Sequence, residues 1–252
     1  MALFTDQNST TIEDLRKHES GVLDLAASEG VDLSAKLQLA YEEVGLELSS
    51  FLQRRGGGIQ GPDHSLTNVV TTDGLRHWCV LQTLAALYRD LYSNQLNDRY
   101  RAKWQEYEKR ALTASEKLFE YGVGVVAIPI ARAHKPILSI ASAPGAPAAT
   151  YYMASSWVGS QGVEGSASDV AVIELTPELT VTVDAGEAVS HAGFWNVYAG
   201  RSPFEMRLQN AQAVPAGTTW TMPTTGLKNG RRAGSGQIPD YLVRQNRVLP
   251  RG

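Results

Sequence analysis

Cysteine is almost missing from this 252-residue chain, and Cys79 stands alone. A single thiol excludes an intrachain disulfide and any cysteine-built metal cluster, and it fits folding in a reducing, cytoplasmic compartment. Long apolar runs are missing too. No stretch approaches the roughly 20 apolar residues of a membrane-spanning helix. The best candidate, GVGVVAIPIARAH from residue 122, is short and is broken by Pro129. The opening MALFTDQNSTTIEDLRKHES has neither the basic nor the apolar region of a secretory signal. Excess charge of one sign is also lacking. With 23 Lys and Arg against 26 Asp and Glu, the net charge of −3 excludes a polycation that wraps nucleic acid.

Catalytic signatures are equally sparse. The five histidines, His18, His64, His77, His134 and His191, never fall at the i, i+4 spacing of a helical metal pair, and no H-E-x-x-H is present. There is no G-x-S-x-G. RRGGGIQGPD (54–63) is glycine-rich, but it follows a predicted helix and lacks the G-K-[ST] that closes a phosphate loop. GVGVV has no third glycine and no helix after it, so it is not a dinucleotide fingerprint. Cys79 and His77, two apart on a predicted helix, point in different directions, so Cys79 reads as a small buried apolar residue. The expectation is a non-enzymatic protein without cofactor or metal.

What is present divides along the chain. Residues 1–122 hold 13 basic and 18 acidic residues, 123–227 hold 4 and 7, and 228–252 hold 6 and 1, so a basic segment follows an acidic body. The first part reads as about four helices. One is predicted over 10–28, with Thr11 and Asp14 as a capping box. Another starts after Asp32 and carries Leu33, Leu37, Ala40, Val44, Leu48 and Phe51 at spacings of 4, 3, 4, 4 and 3. A third covers 73–93. The fourth, of about 20 residues, is capped by Asn97 or Asp98.

After Gly122 the period changes. Strands are predicted at 150–158, 169–175, 179–183, 193–199, 205–209 and 218–222, separated by Gly, Pro, Asn and Ser. In WNVYAG, Trp195 and Val197 share one face, and Asn196 and Tyr198 the other. The fold class expected is α+β in two domains. These are a helical bundle (1–122) and a small antiparallel β-sandwich (123–227), with an extended basic segment (228–252) after them.

Two groups of side chains are candidate contact surfaces. Trp78, Tyr88, Tyr92, Tyr100, Trp104 and Tyr107 place six large aromatics in about 30 residues of two helices, more than a thin two-helix core hides, so some are expected to face a neighbouring subunit. In the C-terminal segment, Arg231, Arg232, Tyr241, Arg244, Arg247 and Leu249 mix charge with apolar anchors, the composition of a segment that docks on its own body or on an acidic neighbour, with a solvated terminus and a nucleic-acid contact as the alternatives.

The stretch LRHWCVLQTLAALYRDLY…DRYRAKWQEYEKRAL (75–112), with A-x-L-Y at Ala85–Tyr88 and K-x-x-x-Y at Lys103–Tyr107, resembles the helical core of tailed-bacteriophage head-to-tail connector (adaptor) proteins. YYMASSWVGSQGVEGSASD, GFWNVYAGRS and LQNAQAVPAGTTWTMP resemble the immunoglobulin-like or fibronectin type III-like modules of phage virion proteins. The resemblance implies a virion structural protein, assembled in the host cytoplasm and sited at the head–tail junction. It implies a homo-oligomeric ring, commonly twelvefold, between the portal protein and a downstream tail protein. Duplex DNA would pass through without specific binding, since an acidic lining lets it slide. The same parts also suit a tail-fibre, baseplate or surface-adhesion protein whose β-sandwich binds a receptor or glycan, with Trp157 and Trp195 as stacking candidates.

Overall fold

The computed structural model describes residues 1–6, 10–56, 65–142 and 147–245. The fold is α+β, with a helical N-terminal region followed by antiparallel sheets. The chain forms two compact units. One comprises Gln7–Ala127 with Pro239–Gly252, and the other Met1–Asp6 with Ile128–Ile238. The changeovers lie after 127 and 238, not after 122 and 227 as the sequence suggests. The first six residues belong with the sheets because the Asp6 carboxylate accepts hydrogen bonds from the Arg132 and Leu3 backbone N–H groups and the Ser166 hydroxyl.

Five helices are present among the described residues, against about four expected: α1 (Ile12–His18), α2 (Val22–Glu29), α3 (Leu33–Gly56), α4 (Asp73–Gln95) and α5 (Asp98–Tyr121). The helix expected over 10–28 is two. Its first turn carries the complete Thr11–Asp14 capping box, but Glu19 leaves helical geometry and Gly21 starts α2. The Ser20-Gly21 pair was the local signal for this break. Gly30 ends α2 in the left-handed region at φ 67°, where a Cβ is strained. The Asp32 carboxylate then accepts from the backbone of Ser34 and Ala35 to start α3. At 24 residues, α5 extends about 36 Å.

The core of this unit centres on α4. Leu75, Trp78, Leu81, Ala85 and Tyr88 are buried on one side of it, and Val80, Thr83, Leu84, Ala86 and Leu87 on its other sides. Neighbours therefore cover α4 nearly all round. Ala40, Val44, Leu48 and Leu52 of α3, and Tyr107, Ala111 and Leu118 of α5, complete the core. The short strand β1 (Val123–Val125) follows α5.

In the other unit, β2 (Ile137–Ser142), β5 (Leu179–Asp184) and β9 (Trp220–Thr221) make a three-stranded sheet. A five-stranded sheet runs β4 (Ala171–Leu175), β3 (Ala149–Gly159), β6 (Ala192–Gly200) and β7 (Arg207–Leu208), with β8 (Val214–Pro215) also paired to β6. All six predicted strands are present, and every pairing is antiparallel. Both sheets feed one core, in which Tyr151, Met153, Trp157, Trp195 and Val197 meet Val181 and Val183. Trp157 and Trp195 lie directly opposite each other across the β3–β6 pair.

The basic segment after 227, expected to dock, is divided between the two units at Ile238 and Pro239. Gly230 lies so close to β7 that a Cβ there would stand 2.2 Å from the Leu208 carbonyl oxygen. Further on, β10 (Tyr241–Val243) pairs with β1. Residues 246–252 lie outside the described residues. No helix among the described residues is long and apolar enough to cross a membrane.

Candidate functional site

The six aromatics of α4 and α5 fall into two groups. Trp78, Tyr88 and Tyr107 are no more than 4% exposed. Trp78 meets Phe119 edge-on and Tyr88 stacks on Tyr107 at 5.6 Å. These three are core, and a side chain already covered by its own chain has no area left for a neighbour. Tyr92, Tyr100 and Trp104 stay half-exposed at the other end of the hairpin, where Tyr92 and Trp104 stack at 6.1 Å. Alternating spacing shows that all six share a face. It does not show where along the hairpin the cover stops.

The break after α1 has a chemical use. It turns Glu19 toward α5, where its carboxylate accepts from the Tyr107 hydroxyl at 2.9 Å and from Lys103 at 3.1 Å. Burial alone would raise this carboxyl's pKa, but the hydrogen bonds from Lys103, Tyr107 and Tyr88 outweigh it and hold the group below the ordinary glutamate range. Burial and the Glu19 charge push the Tyr88 and Tyr107 hydroxyls up. Glu19→Ala leaves a buried tyrosine hydroxyl without its acceptor. It is expected to destabilise the helical unit by about 1–3 kcal/mol, read by guanidinium unfolding followed through far-UV circular dichroism. An unchanged midpoint would show that water replaces the carboxylate.

A tip of unusual backbone lies between Tyr92 and Trp104. Leu96 caps α4 in the left-handed region at φ 52°, and its side chain is 73% exposed. Glycine or asparagine normally occupies such a position. Here a leucine is held there with its apolar side chain exposed, on the hairpin that also carries the half-buried Tyr92, Tyr100 and Trp104.

The predicted C-terminal contact residues scatter. Arg231 is bound within its own unit: it donates to Glu164 at 2.5 Å and lies 6.0 Å from the centre of the Tyr198 ring. Arg232 is exposed and its backbone bridges Arg207. Tyr241 is half-buried in β10. Arg244 is exposed, and its Nε donates to the Tyr121 carbonyl at 2.9 Å. Arg247 and Leu249 lie outside the described residues. Residues 228–245 thus dock on their own chain, one of the alternatives the sequence left open.

Glu164 was missed by sequence reasoning. The chain turns back through Gly159 and Gly162 after β3, so that Glu164 bridges Val158 and its carboxylate lies over the polar face of the sheet. There it accepts from the Ser156 hydroxyl, from Asn196 at 3.0 Å and from the Tyr198 hydroxyl at 2.5 Å, besides Arg231. Burial pushes its pKa up, and these four donors more than reverse the effect. Both carboxylate oxygens are engaged, so the cluster fastens the 228–232 segment to the sheet and presents no open group to a substrate.

No family model, curated protein or solved structure matches this chain. Among the described residues, no three His, Cys, Asp or Glu side chains converge as a metal set. Trp157 and Trp195, the candidates for sugar stacking, are 0% and 1% exposed, so neither has a face open to a glycan.

Proposed function

We propose that this chain is a non-enzymatic virion structural protein, a head-to-tail connector of a tailed bacteriophage whose copies join in a ring between portal and tail. The single observation that carries the reading is the tip of the α4–α5 hairpin. An exposed leucine is held in a backbone conformation that costs about 1–2 kcal/mol, on the hairpin that also carries Tyr92, Tyr100 and Trp104. Strain maintained to expose an apolar side chain supports a contact surface.

In this reading the hairpin tip meets the neighbouring copy, and the acidic helices stand around the DNA path. The two sheets with their shared core form an immunoglobulin-like or fibronectin type III-like sandwich. Arg232 and Arg244, with Arg247 and Leu249 beyond them, approach an acidic surface of the portal. Arg231 and Tyr241 hold the segment to its own chain.

Leu96→Asn separates assembly from folding. Asparagine accepts the left-handed conformation, so the isolated chain should gain about 0.5–1 kcal/mol of stability. Native mass spectrometry should show the native chain as a closed ring, alone or with portal protein, and the variant as smaller species. A variant that assembles as well as the native chain, or a native chain that stays monomeric even with portal, would sink the reading.

A further inference from the structure

The outer side of the α4–α5 pair holds a concave site of about 350 Å³ that the connector reading does not use. Its floor is apolar, from Leu81 and Ala114, and around it stand His77, Lys109, Arg110 and Lys117. His18 of α1 adds a second imidazole, its ring 5.2 Å from that of His77. No carboxylate lines the site. Lys109 and Lys117 form no ion pair among the described residues, and Arg110 pairs with exposed Glu106 at 3.4 Å and lies 5.3 Å from the centre of the Tyr107 ring. Residues 1–122 as a whole carry more acid than base, so this concentration of cations runs against its surroundings. Like charges gathered around a hollow oppose folding unless something of opposite sign fills it.

We infer that this hollow binds a phosphoryl group, supplied by a small phosphate ester or by the backbone of a nucleic acid. Three fixed cations suit a multiply charged oxyanion better than a single carboxylate. The volume is that of a small-molecule site, and the Leu81–Ala114 floor gives the apolar part of an ester a place to lie. The two imidazoles supply a readout. Burial, reinforced by the neighbouring cations, holds both below the ordinary imidazole range. His18 faces His77, Arg110, Lys17 and Asp14, of which only Asp14 acts in the opposite direction, and His77 faces Arg110. A bound dianion reverses that balance, so the complex takes up protons near neutrality and binds more tightly as pH falls. None of this depends on ring assembly.

The test titrates inorganic pyrophosphate, and separately a short DNA duplex, into the full chain at low salt. Calorimetry is run in buffers of different ionisation enthalpy, and the imidazole resonances of His18 and His77 are followed by NMR. Pyrophosphate should bind with proton uptake and move both imidazoles toward their protonated shifts. The exposed pair Lys109→Glu and Lys117→Glu should weaken binding by about tenfold or more. Lys109→Gln with Lys117→Gln should act in the same direction without adding negative charge. Pyrophosphate binding without a duplex response assigns the group to a small ester. Tighter duplex binding, lost in the same variants, assigns it to nucleic acid. Silence from both probes, or binding that the lysine variants leave unchanged, overturns the inference.

Discussion

Replacing Glu164 with alanine is expected to destabilise the sheet unit by about 1–3 kcal/mol, the range for leaving buried polar groups without their partner. The substitution strips an acceptor from Ser156, Asn196 and Tyr198, all under 8% exposed. It also leaves Arg231 without its carboxylate. Urea unfolding followed by tryptophan fluorescence reads the loss. Because Arg231 fastens the 228–232 segment, proteolysis there should speed up in the variant. An intact segment with a small stability change would show that backbone contacts, such as the Leu208 N–H to the Arg231 carbonyl at 2.9 Å, hold it unaided.

The same carboxylate makes stability depend on pH, with a definite sign. Its pKa is lowered on folding. Its contribution is therefore complete above the ordinary glutamate value of about 4.3 and is lost as pH falls through the lower folded value. Native stability should drop between about pH 5 and 3 more steeply than that of Glu164→Gln, which has no charge to titrate. Parallel curves would assign the acid sensitivity to other carboxylates.

The second large effect lies on the opposite face of the same strands. Trp157→Ala should cost about 3–5 kcal/mol. The indole is 0% exposed, faces Trp195 across β3 and β6, and sits in the core that both sheets share. Its Nε1 has no hydrogen-bond partner, so Trp157→Phe discards an unsatisfied donor with the ring edge and should cost markedly less than alanine. Denaturant midpoints of the two variants give the comparison. Equal losses would mean that indole shape dominates. A neutral Trp157→Ala would mean that the sheets can collapse onto the gap.

How much of this was legible follows from particular residues. Thr11, Asp32 and Asn97 mark helix starts because a side chain two or three positions from a free backbone N–H is sufficient to cap it. WNVYAG announced its two faces because alternation belongs to the strand itself. The missed break at Glu19–Gly21 was local as well, but the apolar positions on either side kept one helical period and hid it. By contrast, β10 has three residues and no pattern of its own. Its pairing with Val123–Val125 joins positions more than a hundred residues apart.

The sequence by itself determined the α+β division, the helical stretches apart from the break at Glu19–Gly21, six strands and the acidic body with its basic end. All of these depend on residues within a turn or two of each other, where backbone geometry links spacing directly to structure. Only the tertiary structure decided that Tyr88 is core while Tyr92 is half-buried, that Glu164 in a polar-looking turn is a half-buried anchor, that Arg231 belongs to its own sheet, and that Lys109, Arg110 and Lys117 gather with His77 around one hollow. Burial and charge balance at a residue are set by the elements packed against it, and those come from distant parts of the chain.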